Sequence, residues 1–109
     1  MTVQVTTELI IAELRALPAQ DRLLGLYGLG IDGCESGDSE QVRAVLDELI
    51  ASLDFSYGDI AEAFQQLYAY CLTQCGRGAL DSVAFVFTDL RATLLRATEA
   101  AQISEAAGA

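Results

Sequence analysis

The sequence contains no histidine, no lysine and no tryptophan, and its 109 residues include a single proline. Histidine is the side chain that most often acts as a general base near neutral pH, and lysine is a common nucleophile, so two major routes to catalysis are missing. No serine lies in the G-x-S-x-G sequence of a nucleophile elbow. Most carboxylates fall where helix caps or outward helix faces are expected. We therefore expect no enzymatic activity.

Cysteine is also scarce, with Cys34, Cys71 and Cys75 as the three examples. An odd number argues against a disulfide framework, and a zinc site would need a carboxylate as its fourth ligand because histidine is absent. Cys71 and Cys75 lie four residues apart, on one face of a helix. Small buried core residues are the better interpretation of these thiols. We expect no metal site.

Four glycines, at 25, 28, 30 and 33, interrupt the apolar segment from Ala19 to Cys34. The part from Gly28 to Gly33 matches G-x-G-x-x-G, but a dinucleotide site needs a strand before that motif. The residues from Ala19 to Leu24 include no β-branched side chain. We therefore interpret the segment as a helix whose glycines allow another backbone to approach closely, and we expect no cofactor.

Basic residues are few: the chain has 6 arginines and 16 acidic residues, which gives a net charge of −10. Such a chain repels phosphate backbones and anionic membranes, so we expect no nucleic-acid partner. No apolar run approaches the length of about 20 residues that spans a bilayer, and we expect no membrane insertion. The first eight residues carry no basic side chain, unlike a secretory signal. The expected location is the cytoplasm.

Apolar residues are plentiful, at 52% of the chain, and they recur at spacings of three and four. This pattern predicts an all-α single domain, an antiparallel four-helix bundle with an additional short N-terminal helix. Residues 1–6 and about 102–109 are expected to be loose. The predicted helices are Thr6 or Thr7 to Leu17, Ala19 to Cys34, Ser39 to Leu53, Asp59 to about Cys75, and a last helix from about Ala79.

Helix ends carry recognisable signals. Asp38 is expected to cap the third of these helices, with the Gln41 side chain reaching back to it. Asp59 and Glu62 offer another capping pair, and Gly76 is expected to take a left-handed conformation after the fourth helix.

Five short segments between about Gly37 and Ala97 carry a family resemblance through their order and spacing. They are Gly37-Asp38, Ser52-Leu53-Asp54-Phe55, Gly58-Asp59-Ile60-Ala61-Glu62, Leu67-Tyr68-Ala69-Tyr70 and Leu90-Arg91-Ala92-Thr93-Leu94. Together they resemble the flagellar export chaperone family, FliS, whose members bind flagellin. Leu94 stands where the family usually has tryptophan, and Thr73-Gln74 replaces its usual arginine pair.

The resemblance implies a helical chaperone that holds the disordered C-terminal segment of flagellin, its client, in the cytoplasm. Binding would prevent premature polymerisation and assist export. The client-binding residues that it implies lie on two helices and are Leu26, Tyr27, Ile60, Phe64, Leu67 and Tyr68. Tyrosine suits such a surface because its ring is apolar and its hydroxyl is polar.

A second interpretation remains open. The competing hypothesis is a self-associating structural or regulatory bundle that has no export role and whose apolar grooves are filled by a second copy. Monomer and homodimer are both compatible with the sequence. A further hypothesis is that the leading helix docks on the glycine-containing helix and competes there with the client.

Overall fold

The computed structural model describes the backbone from Thr2 to Gly108 and the side chains of residues 6–100. Over that range the chain forms five helices and contains no strand. The helices are α1 (Thr2–Arg15), α2 (Ala19–Ser36), α3 (Ser39–Ala51), α4 (Asp59–Gly76) and α5 (Leu80–Gly108), and a 3-10 turn covers Phe55–Tyr57. None of the described helices combines the length and the apolar character needed to cross a bilayer. The predicted all-α class is confirmed.

The two ends of the chain differ from the expectation. The leading helix starts at Thr2 and not at Thr6 or Thr7, and α5 continues to Gly108 through the stretch that was expected to be loose. The side chains of residues 1–5 and 101–109 lie outside the described residues. Between α1 and α2, Pro18 has the extended backbone of an N-cap, with ψ 155°, and it separates the two helices as expected.

Of the two hydrogen bonds predicted for the N-terminal cap of α3, one forms. The Asp38 carboxylate accepts a hydrogen bond from the Gln41 backbone N–H at 3.1 Å. The Gln41 side chain does not reach back to Asp38. Its Nε2 donates instead to the Leu29 carbonyl of α2 at 2.9 Å, and its Oε1 accepts from the hydroxyl of Thr7 at 3.4 Å. Gln41 therefore links α1, α2 and α3.

Two other predicted caps are wrong. The Asp59–Glu62 pair does not cap α4, because Gly58 occupies the N-cap and Asp59 is already helical. At the other end of α4, the left-handed residue is Gly78, with φ 76°, and not Gly76. The Gly78 N–H donates to the Cys75 carbonyl and the next N–H to the Gln74 carbonyl, a Schellman arrangement.

The core lies where α2, α3, α4 and α5 meet. Helix α2 packs against α3 and α5, α4 packs against the same two helices, and α1 lies over α2 and α3. The fully buried side chains that hold these helices together are Leu26, Val42, Val45, Leu46, Leu49, Cys71, Val83 and Phe87. Their burial removes the apolar stripes seen in the sequence from water, which is the main driving force of the fold.

The glycines of α2 receive side chains from neighbouring helices. A Cβ at Gly30 would lie 2.5 Å from the Phe87 ring of α5, and a Cβ at Gly25 would lie 2.5 Å from Leu14 of α1. Gly28, in contrast, has open space around it. The close approach inferred from the sequence is therefore real, but it is made by side chains and not by a second backbone.

Helix α1 is held at its middle and at its end. Thr7 and Ile11 in its middle are buried, and Arg15, its last residue, forms a two-bond ion pair with Glu48 of α3, at 2.6 and 3.0 Å. The hydrogen bonds from Arg15 are the largest cause that holds the pKa of Glu48 below its ordinary value. The leading helix docks on α2, as predicted, and also on α3.

Candidate client-binding site

An open apolar groove runs along one side of the molecule. It consists of three adjoining depressions of about 510, 190 and 290 Å³, all of which include Phe64. We call it the Phe64 groove and define it by its principal apolar residues, which are Leu23, Ile60, Phe64, Leu67, Leu90 and Leu94. The groove is thus built from the first turns of α2, the first half of α4 and the middle of α5.

The local sequence explains why α4 presents an apolar edge to this groove. Ile60, Phe64 and Leu67 recur at spacings of four and three, so they form one stripe along α4. A second stripe, with Tyr68, Cys71 and Cys75, points into the core. Helix α4 therefore has more apolar surface than the core covers, and the surplus lines the groove.

Half of the predicted client-binding residues lie in the groove. Ile60 is 65% exposed and is the most accessible of them, while Phe64 and Leu67 are partly buried along its wall. These three residues lie together along the groove.

The other half lie in the core. Leu26, Tyr27 and Tyr68 are only 1–4% exposed, so they offer almost no contact surface to a partner. Their helices carry apolar residues over more than one face, and the resemblance does not distinguish the inner face from the outer one. Tyr27 lies beneath the groove and helps to form its floor.

The floor holds a buried pair of hydroxyl groups. The hydroxyls of Tyr27 on α2 and Tyr68 on α4 lie 3.0 Å apart, so one donates to the other. The Tyr27 ring also packs on Phe87, and the Tyr68 ring on Phe64, with ring centroids 6.2 and 5.8 Å apart. Burial raises the pKa of both phenols, most strongly that of Tyr68, so both hydroxyls stay protonated at neutral pH. Tyr68 of this pair supports the ring of Phe64.

Sequence reasoning did not assign Leu23, Leu90 and Leu94 to the site. The spacing of Leu90 and Leu94 shows that they belong to the apolar face of α5, but it does not show that this face is only partly covered. Tyr57 is 71% exposed and lines the end of the groove. Tyr70 is 49% exposed, lies outside the groove and accepts a hydrogen bond from Gln74.

The three thiols lie in the interior and show no sign of activation. Cys71 and Cys75 are buried in the core and Cys34 is half-buried. Burial raises the pKa of Cys34 and of Cys71 to about 11, and the Cys75 thiol contacts the Ser39 carbonyl at 3.4 Å. Because the thiolate is the reactive and metal-binding form, these residues serve the core. Within the described side chains, no group of three or more possible ligands is placed to hold a metal ion.

Two further depressions lie between α1 and α3 and are different in character. They are lined largely by charged side chains, including Glu8, Glu40, Asp47 and Arg43. None of the described α1 residues lines the Phe64 groove. The docked leading helix therefore leaves this groove open.

The Phe64 groove is lined mainly by apolar side chains, with Arg22, Asp54 and Tyr57 at one end. Comparison with family models, with curated proteins and with solved structures finds no match to this chain.

Proposed function

We propose that the protein is a chaperone that holds an amphipathic helical segment of another polypeptide in the Phe64 groove. The observation that carries the proposal is the partly exposed apolar stripe of α4, Ile60, Phe64 and Leu67, opposite Leu90 and Leu94 of α5. A groove between two helices receives the apolar face of a third helix well, because side chains at spacings of three and four fit between those of the walls.

The proposal includes a specific helix arrangement, in which α2–α5 form an antiparallel four-helix bundle and α1 packs outside it. It is supported by the contacts of each of these four helices with two of the others, and by the short connections between them. In such a bundle the groove lies between neighbouring helices near the end where α2 and α4 begin.

The client that we propose is the C-terminal segment of flagellin, bound in the cytoplasm before export. This rests on the resemblance of the region from about Gly37 to Ala97 to flagellar export chaperones. One of the segments that carry the resemblance, Gly58-Asp59-Ile60-Ala61-Glu62, contributes Ile60 to the groove. Coupled folding and binding of a disordered segment fits an open groove, because the segment supplies the missing helix.

The test is calorimetric titration of the protein with a flagellin C-terminal peptide. The Ile60→Ser variant should weaken binding by about tenfold or more, because burial of an isoleucine side chain contributes about 1.5–3 kcal/mol. Phe85→Ser is the matched control, since Phe85 is 74% exposed and lies outside the groove. Absence of binding to the unaltered protein would exclude flagellin, and equal loss in both variants would exclude the groove.

The alternative is a self-associating bundle in which a second copy covers the groove. The exposed Tyr57 and Ile60 at one end of the groove favour some covering partner. Sedimentation of the protein alone separates the two functions. A stable dimer that Ile60→Ser dissociates and Phe85→Ser does not would support self-association in place of client binding.

A further inference from the structure

We propose that the segment from Asp54 to Gly58, which we call the lid, closes over the client helix in the Phe64 groove. This rests on the proposed function and adds a moving part to the same site. The lid joins α3 to α4 and contains the 3-10 turn Phe55–Tyr57. Asp54 and Tyr57 line one end of the groove, so the lid stands at its rim.

The hydrogen bonds that shape the lid lie within it. The Ser56 N–H donates to the Asp54 carboxylate at 3.0 Å, and the Tyr57 N–H donates to the Asp54 carbonyl at 3.2 Å. The Gly58 N–H donates to the Phe55 carbonyl at 3.1 Å. Over the described part of the chain, no hydrogen bond links the turn itself to another helix. The lid can therefore rotate as one unit and keep its own hydrogen bonds.

The side chains of the turn gain from closure and lose nothing by it. All three are exposed, with Phe55 at 51% and Tyr57 at 71%, and the turn packs chiefly on α4. Movement therefore withdraws no side chain from the core. Closure over an apolar helix, in contrast, removes two aromatic rings from water. A bound client thus shifts the lid toward its closed position, because it contacts the rings only there.

Both ends of the lid are suited to act as hinges. Gly58 has φ 63° and ψ −124°, a backbone conformation that glycine adopts freely and residues with a Cβ adopt at a cost. At the other end, Ser52 is still held by α3, since its N–H donates to the Glu48 carbonyl and its hydroxyl to the Leu49 carbonyl. The rotation is thereby confined to the few residues at the helix ends, where hinges are usually found.

The two rings of the turn distinguish a moving lid from a static wall. Residues two apart in a 3-10 turn point about 120° away from each other. Tyr57 lines the groove, whereas Phe55 is not among the residues that line it. A helix bound beside an unmoved lid would therefore contact Tyr57 and leave Phe55 in water. Rotation of the lid toward the groove would bring Phe55 onto the outer side of that helix.

The experiment places one tryptophan at each of three positions, because the protein contains none. The variants are Tyr57→Trp in the groove wall, Phe55→Trp in the lid and Phe85→Trp as the control, since Phe85 is 74% exposed and lies outside the groove. Each is titrated with a flagellin C-terminal peptide that lacks tryptophan, and calorimetry verifies that each binds. We expect the emission of Tyr57→Trp and Phe55→Trp to shift to shorter wavelength with less quenching by acrylamide. The emission of Phe85→Trp should not change.

Dissociation kinetics test the same motion without a probe in the lid. Stopped-flow fluorescence in the Tyr57→Trp background follows release of the peptide. Adding Phe55→Ser should speed release by about three- to tenfold, because the closed lid loses its outer contact, and should change association little. Adding Phe85→Ser, which removes an exposed ring outside the groove, should leave both rates unchanged.

Each other outcome overturns a defined statement. A shift in Tyr57→Trp without one in Phe55→Trp overturns the lid and leaves the proposed function intact. A shift in all three variants, or equal release rates with the two serine substitutions, also overturns the lid. Binding by calorimetry with no shift in Tyr57→Trp or Phe55→Trp overturns the groove as the binding site. Absence of binding to the unaltered protein overturns the proposed client and the lid together.

Discussion

At the scale of single residues, the buried hydroxyl pair between Tyr27 and Tyr68 is the least expected feature. A hydroxyl group removed from water needs a hydrogen-bond partner, and here each phenol is the partner of the other, 3.0 Å away. The two buried hydroxyls therefore avoid the free-energy cost of an unpaired polar group only while both are present. Removal of one hydroxyl leaves the other unpaired in the interior.

This leads to a double-mutant prediction. Tyr27→Phe and Tyr68→Phe should each destabilise the protein by about 1–3 kcal/mol, the cost of a buried unpaired hydroxyl. The double variant should lose much less than the sum of the two, because no unpaired group remains. Urea unfolding followed by circular dichroism measures the three free energies. Additive losses would show that the two hydroxyls do not depend on each other.

Two glycines in the same helix allow a matched comparison. Gly30→Ala should destabilise the protein by about 1–3 kcal/mol, because its methyl group would lie 2.5 Å from the ring of Phe87, which has no room to move in the core. Gly28→Ala should instead stabilise it by about 0.5–1 kcal/mol, since the site is open and alanine is the better helix former. Thermal unfolding of both variants gives the sign of each change. A destabilised Gly28→Ala protein would mean that α2 is packed differently.

At the scale of the helices, most of the architecture could be predicted from the sequence. The apolar spacings place all five helices, because apolar residues three and four apart lie on one face of a helix and that face is buried when the helix packs on the core. Helix ends were less predictable. Gly76 and Gly78 are both plausible left-handed caps, and only the last hydrogen bonds of α4 decide between them. Likewise, the sequence offers the Gln41 side chain a local partner at Asp38, but in the structure it donates to the Leu29 carbonyl of α2.

The ion pair that fixes the end of α1 predicts a pH dependence. Arg15 lowers the pKa of Glu48 in the folded protein, so the pair stabilises the fold above the unfolded carboxyl pKa of about 4.3. That contribution is lost as the pH falls through the lower folded value. Since Arg15 is largely exposed, Glu48→Gln should cost no more than about 1 kcal/mol at pH 7.

The measurement is the difference in unfolding free energy between Glu48→Gln and the unaltered protein from pH 7 to pH 3. We expect it to approach zero at the acidic end, where both proteins carry an uncharged side chain at this position. Glu13→Gln is a suitable control, because Glu13 is an exposed residue of α1, the helix that carries Arg15. A difference that is independent of pH would assign the effect to packing and not to charge.

At the scale of the whole molecule, the site was harder to predict than the fold. Spacing identifies the apolar faces of α2, α4 and α5, but which part of each face stays uncovered depends on how the helices pack together. Leu26, Tyr27 and Tyr68 were therefore placed on the surface although they lie in the core, and Leu23, Leu90 and Leu94 were missed. Ile60, Phe64 and Leu67, which the resemblance implied, lie in the groove because α4 carries more apolar residues than the core covers.

The net charge sets the last prediction. At pH 7 and low salt, a charge of −10 should keep copies apart despite the exposed residues Tyr57 and Ile60. As the pH approaches the isoelectric point of about 4.1, carboxylates are neutralised and this repulsion fades, whereas the apolar surface is unchanged. We therefore expect a monomer at pH 7 and growing self-association between pH 6 and pH 4.5, measured by sedimentation velocity. Tyr57→Ser with Ile60→Ser should suppress the association, and Phe85→Ser, which removes an equally exposed ring elsewhere, should not. Association that is equal in both variants would place the contact outside the Phe64 groove, and a dimer already present at pH 7 would show that charge does not control it.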